Sequence, residues 1–258
     1  VILLAVLLCA TLPLYAIGLY EDLPSHFSVI DTTRFIFVFR QTELQRDEGR
    51  AAVLAGEFTL RLRRRIDFQL ILSYPALERE RDIIHGVGDA MIRSTVRVAG
   101  DTLGLSGLFL RANMRAPMGS RALKPFSFGS LDGGVGLECR RKTPLFQFRL
   151  ATTYTLVGER SETGSFLHEH FLLLSPSLEV NVRKGTSFAF TMFYLVFRGG
   201  GAREVYSISL TQAISQELRI ILNGALEAGK DEERVFNSLL SLALTYKLPS
   251  RSDSSVDK

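Results

Sequence analysis

Ile66-Asp67-Phe68-Gln69-Leu70-Ile71-Leu72-Ser73-Tyr74 repeats with a period of two. Its even positions are all apolar or aromatic, while Asp67, Gln69, Ile71 and Ser73 between them are mixed. Successive side chains of an extended strand point to opposite faces, so this segment has one wholly apolar face and one that admits charge. The 3.6-residue repeat of an amphipathic helix is missing. The same alternation runs through 146–154, where Phe146, Phe148, Leu150, Thr152 and Tyr154 oppose Gln147, Arg149, Ala151 and Thr153. It returns with Phe188 to Val196, Leu218 to Leu226 and Phe236 to Tyr246.

Working outward, about twelve such segments are expected, near 33–41, 55–64, 66–74, 89–98, 103–114, 133–140, 144–156, 171–182, 186–198, 204–213, 217–227 and 235–248. Most have the roughly 9–11 residues that a tilted strand needs to cross a bilayer. The links alternate between short turns, near 64–66, 99–102, 141–143, 183–185 and 214–216, and longer ones. That alternation belongs to barrels of the bacterial outer membrane, with short turns in the periplasm and longer loops outside. The fold class expected is all-β, a closed antiparallel transmembrane β-barrel of about twelve strands with both termini periplasmic.

Composition agrees. The 258 residues carry 31 basic and 27 acidic side chains, a net charge of +4, with 46% hydrophobic residues. This excludes wholesale disorder, and the charge is too small to mark a nucleic-acid binder. Two cysteines exclude a disulfide scaffold and a multi-cysteine zinc site. Mean hydropathy is +0.15, high for a soluble chain, yet no run beyond the N-terminus is long enough for a spanning helix. The closed barrel is the other structure that satisfies every backbone polar group in lipid.

The faces can then be assigned. Every segment has one face whose middle is free of Asp, Glu, Lys and Arg; Arg64, Arg198 and Glu204 fall at segment ends. The opposite faces carry Arg34, Arg40, Arg61, Arg63, Arg93, Arg97, Arg111, Arg140, Arg149, Arg219 and Lys247 against Glu57, Asp67, Asp89, Glu138, Glu179 and Glu227, a surplus of five positive charges. A Lys or Arg facing lipid at mid-bilayer costs roughly 2–4 kcal/mol, so the uncharged face is the lipid face. A soluble β-sandwich would also alternate, but it does not account for the strand lengths, the loop asymmetry or the Phe and Leu on every segment. Trp is absent, so Tyr74, Tyr154, Tyr194, Tyr206 and Tyr246, on the lipid face and mostly near segment ends, would form the interfacial belt.

Four regions follow. The uncharged run Val1 to Ala16 reads as the apolar core of a secretory signal, with cleavage expected after Ala16. Leu8 before Cys9 disfavours a lipoprotein. Residues 17–32 form a periplasmic segment that could plug the lumen, 33–248 the barrel and 249–258 a polar tail.

Three short passages come in order along the chain. Gly86-Val87-Gly88-Asp89-Ala90 opens a strand, and Leu108-Phe109-Leu110-Arg111 leads to Ala116-Pro117-Met118-Gly119. Phe128-Gly129-Ser130-Leu131-Asp132-Gly133-Gly134-Val135-Gly136-Leu137 then starts another strand. This order resembles the outer-membrane proteins grouped with the meta-pathway of phenol degradation, relatives in architecture of the fatty-acid-transporter barrels. The resemblance covers about residues 50–248. It implies a twelve-stranded barrel passing small, often apolar or aromatic, solutes. The last strand resembles the signal read by the barrel-assembly machinery, except that Leu248 stands where a terminal Phe is usual and Pro249 to Lys258 follow.

The residues expected to line a solute path are Arg61, Arg93, Arg97, Arg111, Arg149, Arg219, Glu57, Glu138 and Glu179. Like charges in a narrow, low-dielectric lumen would favour anions or amphiphiles. Equally, the charges could pair across strands, Glu57 with Arg93 or Glu138 with Arg149, and fill the interior. Bulky inward Phe109, Phe193, Leu195 and Leu239 suit either an apolar path or a closed structural or adhesive barrel. The expected function is passive transport of small solutes. A lipid hydrolase using His168 or His170 with Ser161, Ser165 or Ser175 lacks any accompanying motif, and Gly133, Gly134 and Gly136 read as packing glycines. No cofactor or metal site is expected. The partners are outer-membrane lipid, lipopolysaccharide and a small solute, with no nucleic acid. Loop acids such as Glu43, Asp47 and Glu48 could hold divalent cations bridging lipopolysaccharide. Basic residues gather near the short turns, as in Arg63 to Arg65, Arg140 to Lys142, and Arg183 with Lys184.

Overall fold

A computed structural model describes residues 34–44, 50–62, 66–79, 82–100, 106–120, 123, 131–160, 166–198, 201–228 and 236–248. The expected signal, N-terminal segment and tail lie outside the described residues. Among these residues there are thirteen strands: β1 (Arg34–Leu44), β2 (Arg50–Leu62), β3 (Ile66–Arg79), β4 (Asp82–His85), β5 (Ala90–Ala99), β6 (Gly107–Ala116), β7 (Asp132–Lys142), β8 (Phe146–Arg160), β9 (Phe166–Arg183), β10 (Thr186–Phe197), β11 (Ala202–Ala213), β12 (Leu218–Ala228) and β13 (Phe236–Lys247).

Every pairing is antiparallel between chain neighbours, except that β3 pairs both β4 and β5 and that β1 pairs β13. The β1–β13 ladder runs from Arg34 opposite Lys247 to Leu44 opposite Phe236 and closes the sheet. Twelve strands form the ring; β4 is a short addition folded back on the upper end of β3, with His85 opposite Ala76. The start of β1, the end of β13 and all the short turns share one end of the barrel.

The alternation translates into geometry as expected. Among the described residues, forty large apolar or aromatic side chains are exposed, and most sit on outward positions of the ring strands. Examples are Phe68, Leu70, Leu72 and Tyr74 on β3, and Leu240, Leu242, Leu244 and Tyr246 on β13. A water-soluble protein rarely exposes so continuous an apolar band. The inward positions between them are buried, and many are polar: Asp67, Gln69 and Ser73 on β3, Ser241 and Thr245 on β13. A soluble sandwich would bury the apolar rows and expose the polar ones.

The tight turns use local chemistry. Between β9 and β10 the link is the pair Lys184-Gly185, and Gly185 takes φ +82, a left-handed conformation open to glycine. The β7–β8 turn is held by Thr143, whose hydroxyl accepts the Phe146 amide at 3.0 Å and donates to the Phe146 carbonyl at 3.0 Å. Gly136 faces inward on β7, where a methyl group would run into the Thr152 carbonyl of β8, so this position packs strand against strand.

All twelve expected segments correspond to ring strands, but several run further. β2 begins at Arg50, β3 continues to Arg79, β9 begins at Phe166 and β11 begins at Ala202. β4 was not expected. These extensions lie toward the loop end, where backbone pairing continues past the apolar band. The side-chain pattern is no longer dictated by lipid there, so alternation stops marking the strand.

Leu222 lies mid-strand on β12, opposite Leu210 of β11 and Leu242 of β13, and faces outward. Leu222→Arg should destabilise the barrel folded into lipid vesicles by about 2–4 kcal/mol. Asn223→Ala, one residue on and inward, should cost clearly less. Denaturant titration followed by heat-modifiable gel mobility measures both.

Candidate functional site

The inward face concentrates charge on one side. At its centre stands Glu138 of β7, 2% exposed, reached by three guanidinium groups. Arg111 of β6 approaches at 3.3 Å and Arg149 of β8 at 3.8 Å, and Arg140 of β7 donates through Nε to Oε1. Registry explains the convergence. Glu138 sits opposite Phe109 on one neighbouring strand and Ala151 on the other, which places Arg111 and Arg149 two residues away on the same face. The Arg140 guanidinium also lies over the Phe109 ring, 4.3 Å from its centroid. Glu179 of β9 adds a second carboxylate on the side of Arg149, so three cations against two carboxylates leave this cluster with a net positive charge.

A second network joins β2, β3 and β5. Glu57 accepts hydrogen bonds from Thr59 Oγ1 and Gln69 Nε2, both at 3.1 Å. Arg93 donates to Gln69 Oε1 at 3.1 Å, so Gln69 bridges acid and base. Further toward the loops, Arg115 pairs with Asp132 at 3.4 Å and Arg203 with Glu227 at 3.6 Å. Glu179 accepts a bond from Ser187 Oγ at 2.6 Å.

The opposite wall is chemically different. β6 and β12 are six strands apart either way round the ring, as are β7 and β13. Facing the arginines, β11 to β13 present Ser207, Ser209, Asn223, Ser241 and Thr245, all buried and uncharged. Ser207 donates to Asn223 Oδ1 at 2.6 Å. Nearer the loops the wall turns apolar, with Phe171 and Leu173 of β9, Phe193 and Leu195 of β10, Val205 of β11 and Leu239 of β13.

The loop-side mouth is narrowed by the segment after β6. The Asp89 carboxylate, 1% exposed, accepts the backbone amides of Met118 at 3.1 Å and Gly119 at 3.2 Å. Leu123 packs into an apolar nest of inward Ala51, Val53 and Leu77, with Ile84 beside it. Two of the sequence passages noted above, the Gly-Asp strand start and the Pro-x-Gly loop, therefore meet at one latch.

Of the expected path residues, Glu138, Arg111 and Arg149 come together, and the Glu138–Arg149 pair forms as anticipated. Glu57 and Arg93 are linked through Gln69. Glu179 faces the lumen. The Arg61 side chain lies outside the described residues. Arg97 and Arg219 do not join the interior clusters: both are exposed at the short-turn end, because each sits at the end of its strand, and Arg97 donates to the Ser106 carbonyl at 2.8 Å. Arg140 had been placed inward but not singled out. Arg203 and Asp132 were missed because strands drawn by apolar alternation stopped short of them. Nothing in the sequence marks Leu123 as buried.

The hydrolase alternative loses its geometry on the described pair. His170 shares a 2.7 Å hydrogen bond with Tyr154 on the outward face, whereas Ser175 is buried on the inward one. The side chains of Ser161, Ser165 and His168 lie outside the described residues. Cys139 is a free thiol on an outward position of β7.

No protein-family model matches the chain, and no curated protein matches it. Solved structures do. An outer membrane channel from Pseudomonas putida F1 superposes with a TM-score of 0.64 at 11% identity, over 84% of this chain and 95% of that one. The NanC porin gives 0.60 at 8% identity, over 82% of this chain and all of that one. The translocator domain of the autotransporter NalP from Neisseria meningitidis gives 0.53 at 11% identity, over 91% and 93%. The fold is that of bacterial outer-membrane β-barrels.

Two substitutions separate the roles of these groups. Glu138→Gln removes the carboxylate shared by buried Arg149 and the partly buried Arg111 and Arg140, and should destabilise the barrel by about 3 kcal/mol, read by denaturant unfolding in vesicles. Leu123→Ala empties a buried apolar site over Ala51, Val53 and Leu77 and should cost about 2–5 kcal/mol by the same unfolding measurement, with the Glu138 cluster intact.

Proposed function

We propose that the barrel sits in the bacterial outer membrane and is a passive channel for small solutes that favours anions. The observation that carries this reading is the Glu138 cluster, where Arg111, Arg140 and Arg149 outnumber the carboxylates near them, Glu138 and Glu179. An interior of twelve strands is wider than the eight-strand barrels that side chains simply fill, and narrower than open porins of 16–18 strands. A focused positive potential in such a space draws anions and rejects cations. Small uncharged side chains opposite the arginines leave room for a solute. The apolar stretch nearer the loops, from Phe171 to Leu239, favours anions that carry an apolar or aromatic part. That preference agrees with the resemblance to the phenol meta-pathway proteins.

Likeness in fold to a channel and a porin supports transport, although an autotransporter translocator shares the same architecture, so the lumen chemistry carries the argument. A closed structural barrel is the second reading. It is favoured by Phe193 and Leu195, which are fully buried, and by Leu123 in the mouth.

Planar-bilayer recordings in a salt gradient decide between them. The reversal potential should report anion selectivity, and Arg111→Gln with Arg149→Gln should lower the anion-to-cation permeability ratio severalfold. Cation selectivity overturns the anion preference. No conductance, together with no liposome swelling by benzoate or sugars, overturns the channel and favours the closed barrel.

A further inference from the structure

The two ends of the barrel are charged differently. At the loop end, exposed Arg50 and Arg198 are balanced by exposed Glu78 and Asp82 among the described residues. At the short-turn end, Arg141, Lys142, Arg183, Lys184 and Arg219 are exposed and Lys247 is half-buried. The exposed acid at that end, among the described residues, is Glu217, which already accepts a hydrogen bond from Ser215 at 2.9 Å.

A solvated charge run would not need apolar company, yet the basic groups of the β7–β8 and β9–β10 hairpins have some. Leu145 is exposed in the turn that follows Arg141 and Lys142, and Val182 faces outward beside Arg183. Arg219 and Lys247 take inward positions, Arg219 opposite buried Thr245, and line the inner edge of the same rim. Leu145 is 71% exposed and Val182 61% exposed. An apolar side chain beside a long basic one, repeated round a rim that borders an apolar band, fits the boundary between acyl chains and phosphates. There the apolar group enters the hydrocarbon edge and the cation reaches a headgroup.

We infer that the short-turn rim is a docking surface for anionic glycerophospholipid headgroups of the leaflet that faces it. The inference rests on the barrel spanning a bilayer and is independent of whether the lumen conducts. The phosphate oxygens of a lipid such as phosphatidylglycerol supply the countercharge that Arg141, Arg183 and Lys184 lack among the described residues. A zwitterionic headgroup presents its own ammonium and is a poorer match.

The test refolds the full chain into phosphatidylcholine vesicles with and without phosphatidylglycerol, extracts it in mild detergent and reads the retained lipids by native mass spectrometry. Heat-modifiable gel mobility shows independently that the barrel has formed in the bilayer, so failure to fold there counts against the membrane reading itself. The wild type should retain phosphatidylglycerol over phosphatidylcholine by about fivefold or more, the ratio expected from one basic contact at a membrane surface. The preference should vanish at high ionic strength, which needs no variant. It should fall to near parity in the combined variant Arg141→Gln, Arg183→Gln, Lys184→Gln, and persist in Arg50→Gln, Arg198→Gln. Equal retention of the two lipids by folded wild type, persistence of the preference in the three-fold variant or at high salt, or its loss in the loop-end pair overturns the inference.

Discussion

The ladder between β1 and β13 is the constraint on which the rest depends. A strand within hydrocarbon has no water to satisfy its backbone N–H and C=O groups, and each group left bare costs several kcal/mol. An open sheet of twelve strands would leave two bare edges. Pairing Arg34 through Leu44 with Lys247 through Phe236 removes both. Closure also means that the chain cannot leave either face undecided: what does not face outward is enclosed.

The lumen chemistry follows from that enclosure. Alternation that puts Leu240, Leu242 and Leu244 into lipid commits Leu239, Ser241, Ala243 and Thr245 to the interior. Polar groups held there must find partners among themselves. The charged ones do so by registry, since positions two residues from a paired position on adjacent strands share a face and lie within reach of a long side chain. Glu138 gathers Arg111 and Arg149 this way, and Gln69 lies between Glu57 and Arg93 by the same rule.

How much could be read in the sequence follows the same division. Lipid imposes a rule on every second residue, so the faces of Phe68, Phe188 and Leu222 were legible without coordinates. The pairing of Glu138 with Arg149 was legible too, because both fall on inward positions of adjacent strands. Above the apolar band the rule ends. The extension of β11 to Ala202, which brings Arg203 to Glu227, left no periodic trace, and neither did the short strand β4. The latch of Asp89 on Met118 and Gly119 uses backbone amides about 30 positions away, which no side-chain pattern encodes. Leu123 is apolar in a loop and becomes distinctive only when Ala51, Val53 and Leu77 are brought beneath it.

The Arg-rich cluster bears on whether the interior is merely packed. Burying charges is expensive, and well-packed apolar residues of similar volume often stabilise a fold as well or better. This chain does fill part of its own lumen that way, with Phe193, Leu195, Val205 and Leu239 on the wall nearer the loops. An apolar interior was therefore within its means, and the region around Glu138 departs from it. Pairing alone does not account for the departure, because three guanidinium groups converge on Glu138, and the second carboxylate near them, Glu179, still leaves one cation over. Stability is better served by fewer charges at that point, so the excess is most simply understood as a field directed at something that enters the lumen from outside the chain.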